Sequence, residues 1–180
     1  MHRIKNISYI NIDKRSEVFY IGQYFPKNRG IKDAFSDLII RYKKGDFLAV
    51  SYFESLVAKI IYNYFWFCDI ILPIPPSTSM LDIYPNKTLC SSLSSLNVIS
   101  FEDDILKRQK GVRAFHLANK RDALRVKGSI IITDPEAVRN KNILLFDDII
   151  TSGNTSEIIK DMLLKNGARS VIRFFLAKTV

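Results

Sequence analysis

Residues 143–155 read ILLFDDIITSGNT, and the fold of the chain is decided by how this stretch is understood. Ile143 to Phe146 form a continuous apolar run, the composition of a strand buried on both faces in a parallel sheet covered by helices. The run delivers two consecutive carboxylates, Asp147 and Asp148, where the C-terminal end of such a strand meets its ligand. Small and hydroxylated residues follow, Thr151, Ser152, Gly153, Asn154 and Thr155, and they open a segment in which Ile158, Ile159, Met162 and Leu163 recur at helical spacing. Asn166 and Gly167 stop that helix, and SVIRFFLA (170–177) supplies the next apolar run. The sequence therefore spells one strand, one helix and one strand.

A loop of this make-up lets successive backbone N–H groups converge on a phosphate, helped by side-chain hydroxyls and the start of the helix, and Gly153 permits a close approach. Two acids beside an anion site repel a bare phosphate. The ligand must therefore also offer hydroxyls to the carboxylates, or a divalent cation between them. A phosphorylated sugar with a free diol meets that demand. The plainer alternative is that Asp147 and Asp148 cap a loop and that 151–155 is an ordinary turn, but strand, acid pair, hydroxyl loop and helix stand in the order the chemistry requires. No Lys follows Gly153 and no G-x-G-x-x-G occurs, so neither a Walker loop nor a dinucleotide fingerprint is present.

Working outward, DIILPIP (69–75), NVISF (97–101) and GSIIIT (128–133) read as further buried strands, giving an α/β chain with a mostly parallel sheet flanked by helices. Thr78 to Leu96 is a helix or a loop. Upstream, Ile31, Ala34, Phe35, Leu38, Ile39 and Tyr42 keep helical spacing up to a basic turn and Gly45. Ala49, Phe53, Leu56, Val57, Ile60, Ile61 and Tyr64 repeat the pattern after a cap at Asp46. The expectation is a single domain over 1–180, with residues 1–68 a strand-plus-helices lobe laid on the main sheet and residues 69–180 the α/β core.

At 180 residues, with 47% hydrophobic and 25% charged residues, the chain can bury a sizeable core, and intrinsic disorder is excluded. The greasiest stretch, LVAKIIYNYFWFCDIILPIPP (56–76), is broken by Lys59, Asn63 and Asp69, so no membrane span is expected. The polar first residues lack a signal-peptide pattern, and a cytoplasmic address is expected. Cys68 and Cys90 are too few for a structural zinc site and read as packing thiols. Of the net charge of +9, the segment 107–127 carries +7, with eight Lys and Arg residues against the single acid Asp122. Such a concentration draws anions, either a polyphosphate or nucleic acid, unless it is a solvated loop.

ILLFDDIITSGNT resembles the phosphoribosyl-pyrophosphate signature of type I phosphoribosyltransferases at every position, and the wider layout from about Tyr20 to Val180 resembles the ComF-type branch of that family. IRYKKGD (40–46) is similar to that branch's Lys/Tyr-rich helix end, and ILPIPPS (71–77) to its Pro-rich strand. The basic stretch before GSIIIT is similar to its mobile Arg-containing segment. The resemblance implies a type I phosphoribosyltransferase-like fold with a small N-terminal helical hood. It assigns the ribose diol to Asp147 and Asp148 and the 5-phosphate to Thr151, Ser152, Gly153, Asn154 and Thr155. It puts the pyrophosphate loop at Ser77, Thr78 and Ser79. Two departures stand out. The four-cysteine zinc finger of many ComF-type proteins is absent from this sequence, and PPSTSMLDIYPNK (75–87) offers hydroxyls and only Lys87 where the family loop is usually basic.

Phosphoribosyl transfer builds positive charge on the sugar and negative charge on the departing pyrophosphate. Mg²⁺, held near Asp147 and Asp148 through the ligand, and cations at the leaving group are the expected aids. Arg108, Lys110 and Arg113 are the candidate pyrophosphate contacts, with Arg121 behind them, on a segment long enough to act as a lid. His116 is a candidate for proton transfer, although a lone His in a basic loop is more often a bystander. Tyr84 and Phe115 could stack on a base. The expected partners are phosphoribosyl pyrophosphate (PRPP) and a small acceptor, nucleobase or amine, with a homodimer also considered. The competing expectation is a non-catalytic PRPP sensor whose basic segment 107–127 binds nucleic acid.

Overall fold

The computed structural model describes residues 10–15, 17–76, 84–109 and 129–180. Seven strands and four α-helices follow one another in the order β1 (Asn11–Asp13), β2 (Val18–Tyr24), α1 (Ala34–Lys43), α2 (Phe47–Tyr64), β3 (Ile70–Pro73), α3 (Pro85–Ser95), β4 (Leu106–Arg108), β5 (Ile130–Ile132), β6 (Asn142–Ile150), α4 (Asn154–Lys165) and β7 (Ser170–Thr179) among the described residues. The main sheet has the order β1-β2-β7-β6-β3. Its four inner pairings leave only the β1–β2 pair antiparallel, so the expected mostly parallel sheet is present.

Alternation along β6 shows why an unbroken apolar run was needed. Ile143 and Leu145 enter one core with Ile159 and Leu163 of α4. Leu144 and Phe146 enter a second core with Ile39 and Tyr42 of α1, Phe53 and Val57 of α2, and Leu89 of α3. The sheet is thus covered on both faces, α4 on one and α1 to α3 on the other. Phe65, Phe146 and Phe174 meet in tilted ring pairs beneath α2, with centroids 5.5 and 5.9 Å apart.

The helix boundaries are written locally. Asp33 accepts from Ser36 N at 2.7 Å and caps α1, while Asp46 accepts from Ala49 N at 3.0 Å and caps α2 as its position suggested. Gly45, in the left-handed region with φ of 74°, makes the sharp break between the two helices. Ile31 stays outside α1 and is exposed, because the Asp33 cap starts the helix later than the apolar spacing alone implies. Pro85 at the first turn fixes the start of α3, so the part of the helix-or-loop stretch Thr78 to Leu96 that is described is helix over Pro85–Ser95, residues 78–83 lying outside the described residues.

Two expected strands behave differently. NVISF contributes to the sheet only an isolated parallel bridge, from Ser100 to Ile70. The apolar side chains of Val98, Ile99 and Phe101 pack on the core without a ladder, which is why their composition mimicked a strand. The isoleucines of GSIIIT do form β5, but it pairs antiparallel with β4 in a separate two-stranded sheet and not in the parallel one. Apolar composition reports burial, and here burial comes from packing beside α4. The N-terminal segment also departs from the expected overlay, since β2 is a member of the main sheet, parallel to β7. Cys68 and Cys90 are buried thiols, as expected. Burial, with Asp69 nearby, pushes the Cys68 thiol up to about 12, so it stays protonated. No helix among the described residues is long and apolar enough to cross a membrane.

Candidate functional site

Four elements end around a cavity of about 440 Å³ at the C-terminal edge of the sheet. β6 brings Asp147, Asp148 and the loop beyond it. The chain after β3 brings Ile74, Pro75 and Pro76, α3 brings Pro85 and Asn86 with Tyr84 just before it, and the last turn of α1 brings Lys43. Open α/β sheets place ligands outside the carboxyl ends of their strands, and this cavity occupies that position.

The acid pair is held in a defined state. Asp147 Oδ1 accepts from the Asn86 side-chain amide at 2.9 Å and from the backbone N–H of Asp148 at 2.9 Å. Asp148 Oδ1 accepts from Ile149 N at 2.6 Å and faces Lys43 Nζ at 3.4 Å. Burial, and then the adjacent Asp148 carboxylate, push Asp147 up to about 8 against the pull of these donors. Burial also raises Asp148, with Lys43 the main opposing influence. A pair with this preference carries a proton readily and can both donate to and accept from sugar hydroxyls.

Behind the pair lies a buried polar chain. Tyr42 donates its hydroxyl to Asn86 Oδ1 at 2.9 Å, which fixes the amide so that its nitrogen faces Asp147. The same nitrogen lies 3.3 Å from the Tyr84 hydroxyl, and Tyr84 in turn donates to the carbonyl of Ile74. Burial lifts both Tyr42 and Tyr84 above the ordinary phenol range, so both remain neutral donors. Tyr84 lines the cavity and its hydroxyl is engaged in supporting the site.

Thr151, Ser152, Gly153 and Thr155 line the cavity with Asp147 and Asp148, as the sequence suggested. Asn154 is absent from the lining and is the first residue of α4. Gly153 caps the helix with φ of 76°, in the left-handed region. Ser156, which sequence reasoning left out, also lines the cavity and donates to Gly153 O at 2.8 Å, closing the turn. Arg173 of β7, buried beneath, approaches Ser156 Oγ at 3.5 Å and pairs with Glu157 at 2.5 Å.

Arg108 borders the cavity, and three of its five N–H donors are used within the protein. It donates to Pro76 O at 2.9 Å, to Ser129 Oγ at 3.0 Å and to Pro75 O at 3.4 Å. It thus fastens the end of β3 to the β4–β5 sheet, a structural duty beyond the pyrophosphate contact expected of it. Ser77, Thr78, Ser79, Lys110, Arg113, Phe115, His116 and Arg121 lie outside the described residues. Lys43, Asn86 and Tyr42 were missed as site residues. The one sequence signal for two of them was the polar Tyr-Lys at the end of an apolar helix, within IRYKKGD.

Among the described residues no three His, Cys, Asp or Glu side chains converge. Asp147 and Asp148 are the carboxylates at this cavity that could hold a divalent cation, and two carboxylates would leave most of its coordination sphere to a ligand or water.

A parallel strand ending in an acid pair, a hydroxyl loop opening the next helix and a Pro-rich strand end therefore meet at one cavity. No family model matches the chain. Competence protein ComFC of Streptococcus pneumoniae strain R6 is 30% identical over 155 residues, 86% of this chain and 66% of that protein. The chain is thus similar to ComFC over most of its own length. It spans just under two thirds of that relative's length, at 66%. Among solved structures, the glutamine PRPP amidotransferase of B. subtilis is 22% identical with a TM-score of 0.48, covering 71% of this chain and 26% of that one. The purine phosphoribosyltransferase of Pyrococcus horikoshii is 15% identical with a TM-score of 0.45, over 74% of this chain and 87% of that one.

Proposed function

We propose that the chain binds PRPP and transfers its phosphoribosyl group to a small nucleophile, a nucleobase or an amine, with release of pyrophosphate. The observation that carries the reading is that Asp147, Asp148 and the loop residues Thr151 to Gly153 and Thr155 line one cavity. In this reading the bond from the anomeric carbon to the pyrophosphate oxygen breaks, and its electron pair leaves with pyrophosphate. The nucleophile's lone pair forms the new bond, and its proton is released. Asp147 and Asp148 orient the ribose diol, so that the sugar is fixed while its charge changes. The loop and the start of α4 hold the 5-phosphate. A Mg²⁺ carried on the ligand and held near the acid pair would neutralise the departing polyphosphate.

The test is calorimetric titration of the full chain with PRPP, with and without Mg²⁺, alongside pyrophosphate release over a panel of bases and amines. Tight binding lost in Asp147→Asn/Asp148→Asn, and release abolished by Asp148→Asn, is the expected result. Absence of PRPP binding by the wild type overturns the reading.

A second reading is a non-catalytic PRPP-binding protein whose basic segment 107–127 contacts nucleic acid. One observation favours it: the relative is a competence protein. PRPP binding without pyrophosphate release across the panel, together with salt-dependent DNA binding, would select this reading.

A further inference from the structure

The described cavity lining holds two cationic side chains, Lys43 and Arg108, and they are not equivalent. Arg108 is held in place by three hydrogen bonds, to Pro75 O, Pro76 O and Ser129 Oγ. Lys43 is half exposed and makes one long contact, Nζ to Asp148 Oδ1 at 3.4 Å. An ammonium group has three N–H donors on a flexible stem, so Lys43 can keep Asp148 and reach a second anion at once.

The two faces of the sheet separate the anion-binding features. The loop 151–155 opens α4, which packs with Leu145 on one face. Lys43 ends α1, which packs with Phe146 on the other. Asp147 and Asp148 lie between them at the edge of β6. A ligand gripped by hydroxyls at the acid pair, with one phosphate on the α4 loop, therefore has room to extend its remaining substituent toward the α1 side, where Lys43 lines the same cavity.

Resting on the PRPP reading above, we propose that Lys43 binds the polyphosphate end of the ligand, bridging it to Asp148, while the loop 151–155 takes the other phosphate. The adjacent Tyr42 is buried and tied to Asn86, which anchors the helix end from which Lys43 projects. Lys43 thus makes the site selective for a sugar that carries anions at both ends over one that carries a single phosphate.

The experiment compares wild type, Lys43→Gln and Lys43→Arg by calorimetry with two probes, PRPP with Mg²⁺ and ribose 5-phosphate. Lys43→Gln should weaken PRPP roughly tenfold or more, the loss expected for one charge-assisted hydrogen bond, and change ribose 5-phosphate by less than about threefold. Lys43→Arg should recover most of the PRPP affinity. Equal loss for both probes assigns Lys43 to holding Asp148 alone and overturns the proposal, as does unchanged PRPP affinity in Lys43→Gln. If the wild type binds ribose 5-phosphate but not PRPP, or neither, the PRPP reading itself fails and this proposal with it. Lys43 is half exposed, so coincident thermal unfolding curves for the three proteins should confirm that they are equally folded.

Discussion

Asn86 donates its side-chain amide to Asp147 Oδ1 at 2.9 Å, joining residues 61 positions apart and tying α3 to the end of β6. With the N–H of Asp148 on the same oxygen, Oδ1 is fully used, and Oδ2 is the Asp147 oxygen left to meet a ligand. The bond therefore sets which face of the carboxyl group is functional.

Asn86→Ala should lower stability by about 1–3 kcal/mol, because the Tyr42 hydroxyl and Asp147 both lose a buried partner. Tyr42→Phe should cost about 0.5–1.5 kcal/mol, since it removes one donor and keeps the ring. Urea unfolding measures both. An Asn86→Ala midpoint equal to wild type would show that the chain Tyr42–Asn86–Asp147 is not formed.

Stability should fall with rising pH across the range where Asp147 ionises. Its folded-state value is raised to about 8, above that of the unfolded chain near 3.9, so the folded protein binds more protons in this window. The slope of unfolding free energy with pH is then negative, and the contribution present below about pH 4 is lost as pH passes through about 8. Asp147→Asn removes the effect, so the variant should gain on the wild type between about pH 5 and about pH 8. Parallel stability curves for the two proteins would contradict this assignment.

Much of this arrangement was legible in the sequence, for identifiable reasons. The βαβ unit from β6 to β7 was readable because Ile143 to Phe146 are buried on both faces and α4 keeps helical apolar spacing up to the stop at Asn166 and Gly167. The acid pair and hydroxyl loop are contiguous in sequence, so their order alone disclosed them. Asn86, Tyr42 and Lys43 belong to the same site, yet they converge on it only through packing of α1 and α3 against the sheet, and no local pattern encodes that. NVISF and GSIIIT misled for a related reason. Val98, Ile99 and Ile130 are apolar because they are covered, and the covering does not need the parallel ladder that such runs usually signal.

Gly153→Ala should cost about 1–2 kcal/mol, the penalty for placing an L-residue in the left-handed region. A Cβ there would also come within 3.1 Å of Ile150 Cδ1. Since Gly153 lies within the loop 151–155 proposed to hold the 5-phosphate, ribose 5-phosphate affinity should fall as well, read by calorimetry at a temperature where the variant is folded. An unchanged affinity would remove the loop from the ligand site.

Arg108→Ala should lower stability by about 1.5–3 kcal/mol, the usual range for hydrogen bonds to a charged group. Arg108→Lys should recover only part of this, because a single ammonium cannot span Pro75 O, Pro76 O and Ser129 Oγ as a planar guanidinium does. Chemical unfolding of the two variants decides the matter, and full recovery by lysine would show that charge alone suffices.

The position of β7 has a consequence for biosynthesis. It is the last of the described strands in the sequence, yet it lies between β2 and β6. While the ribosome still holds that segment, the nascent polypeptide can assemble only two half-sheets, β1 with β2 and β3 with β6, each with an open edge. Vectorial folding must therefore wait for Ser170–Thr179 to emerge, and the acid pair sits beside an unfilled seam throughout that interval.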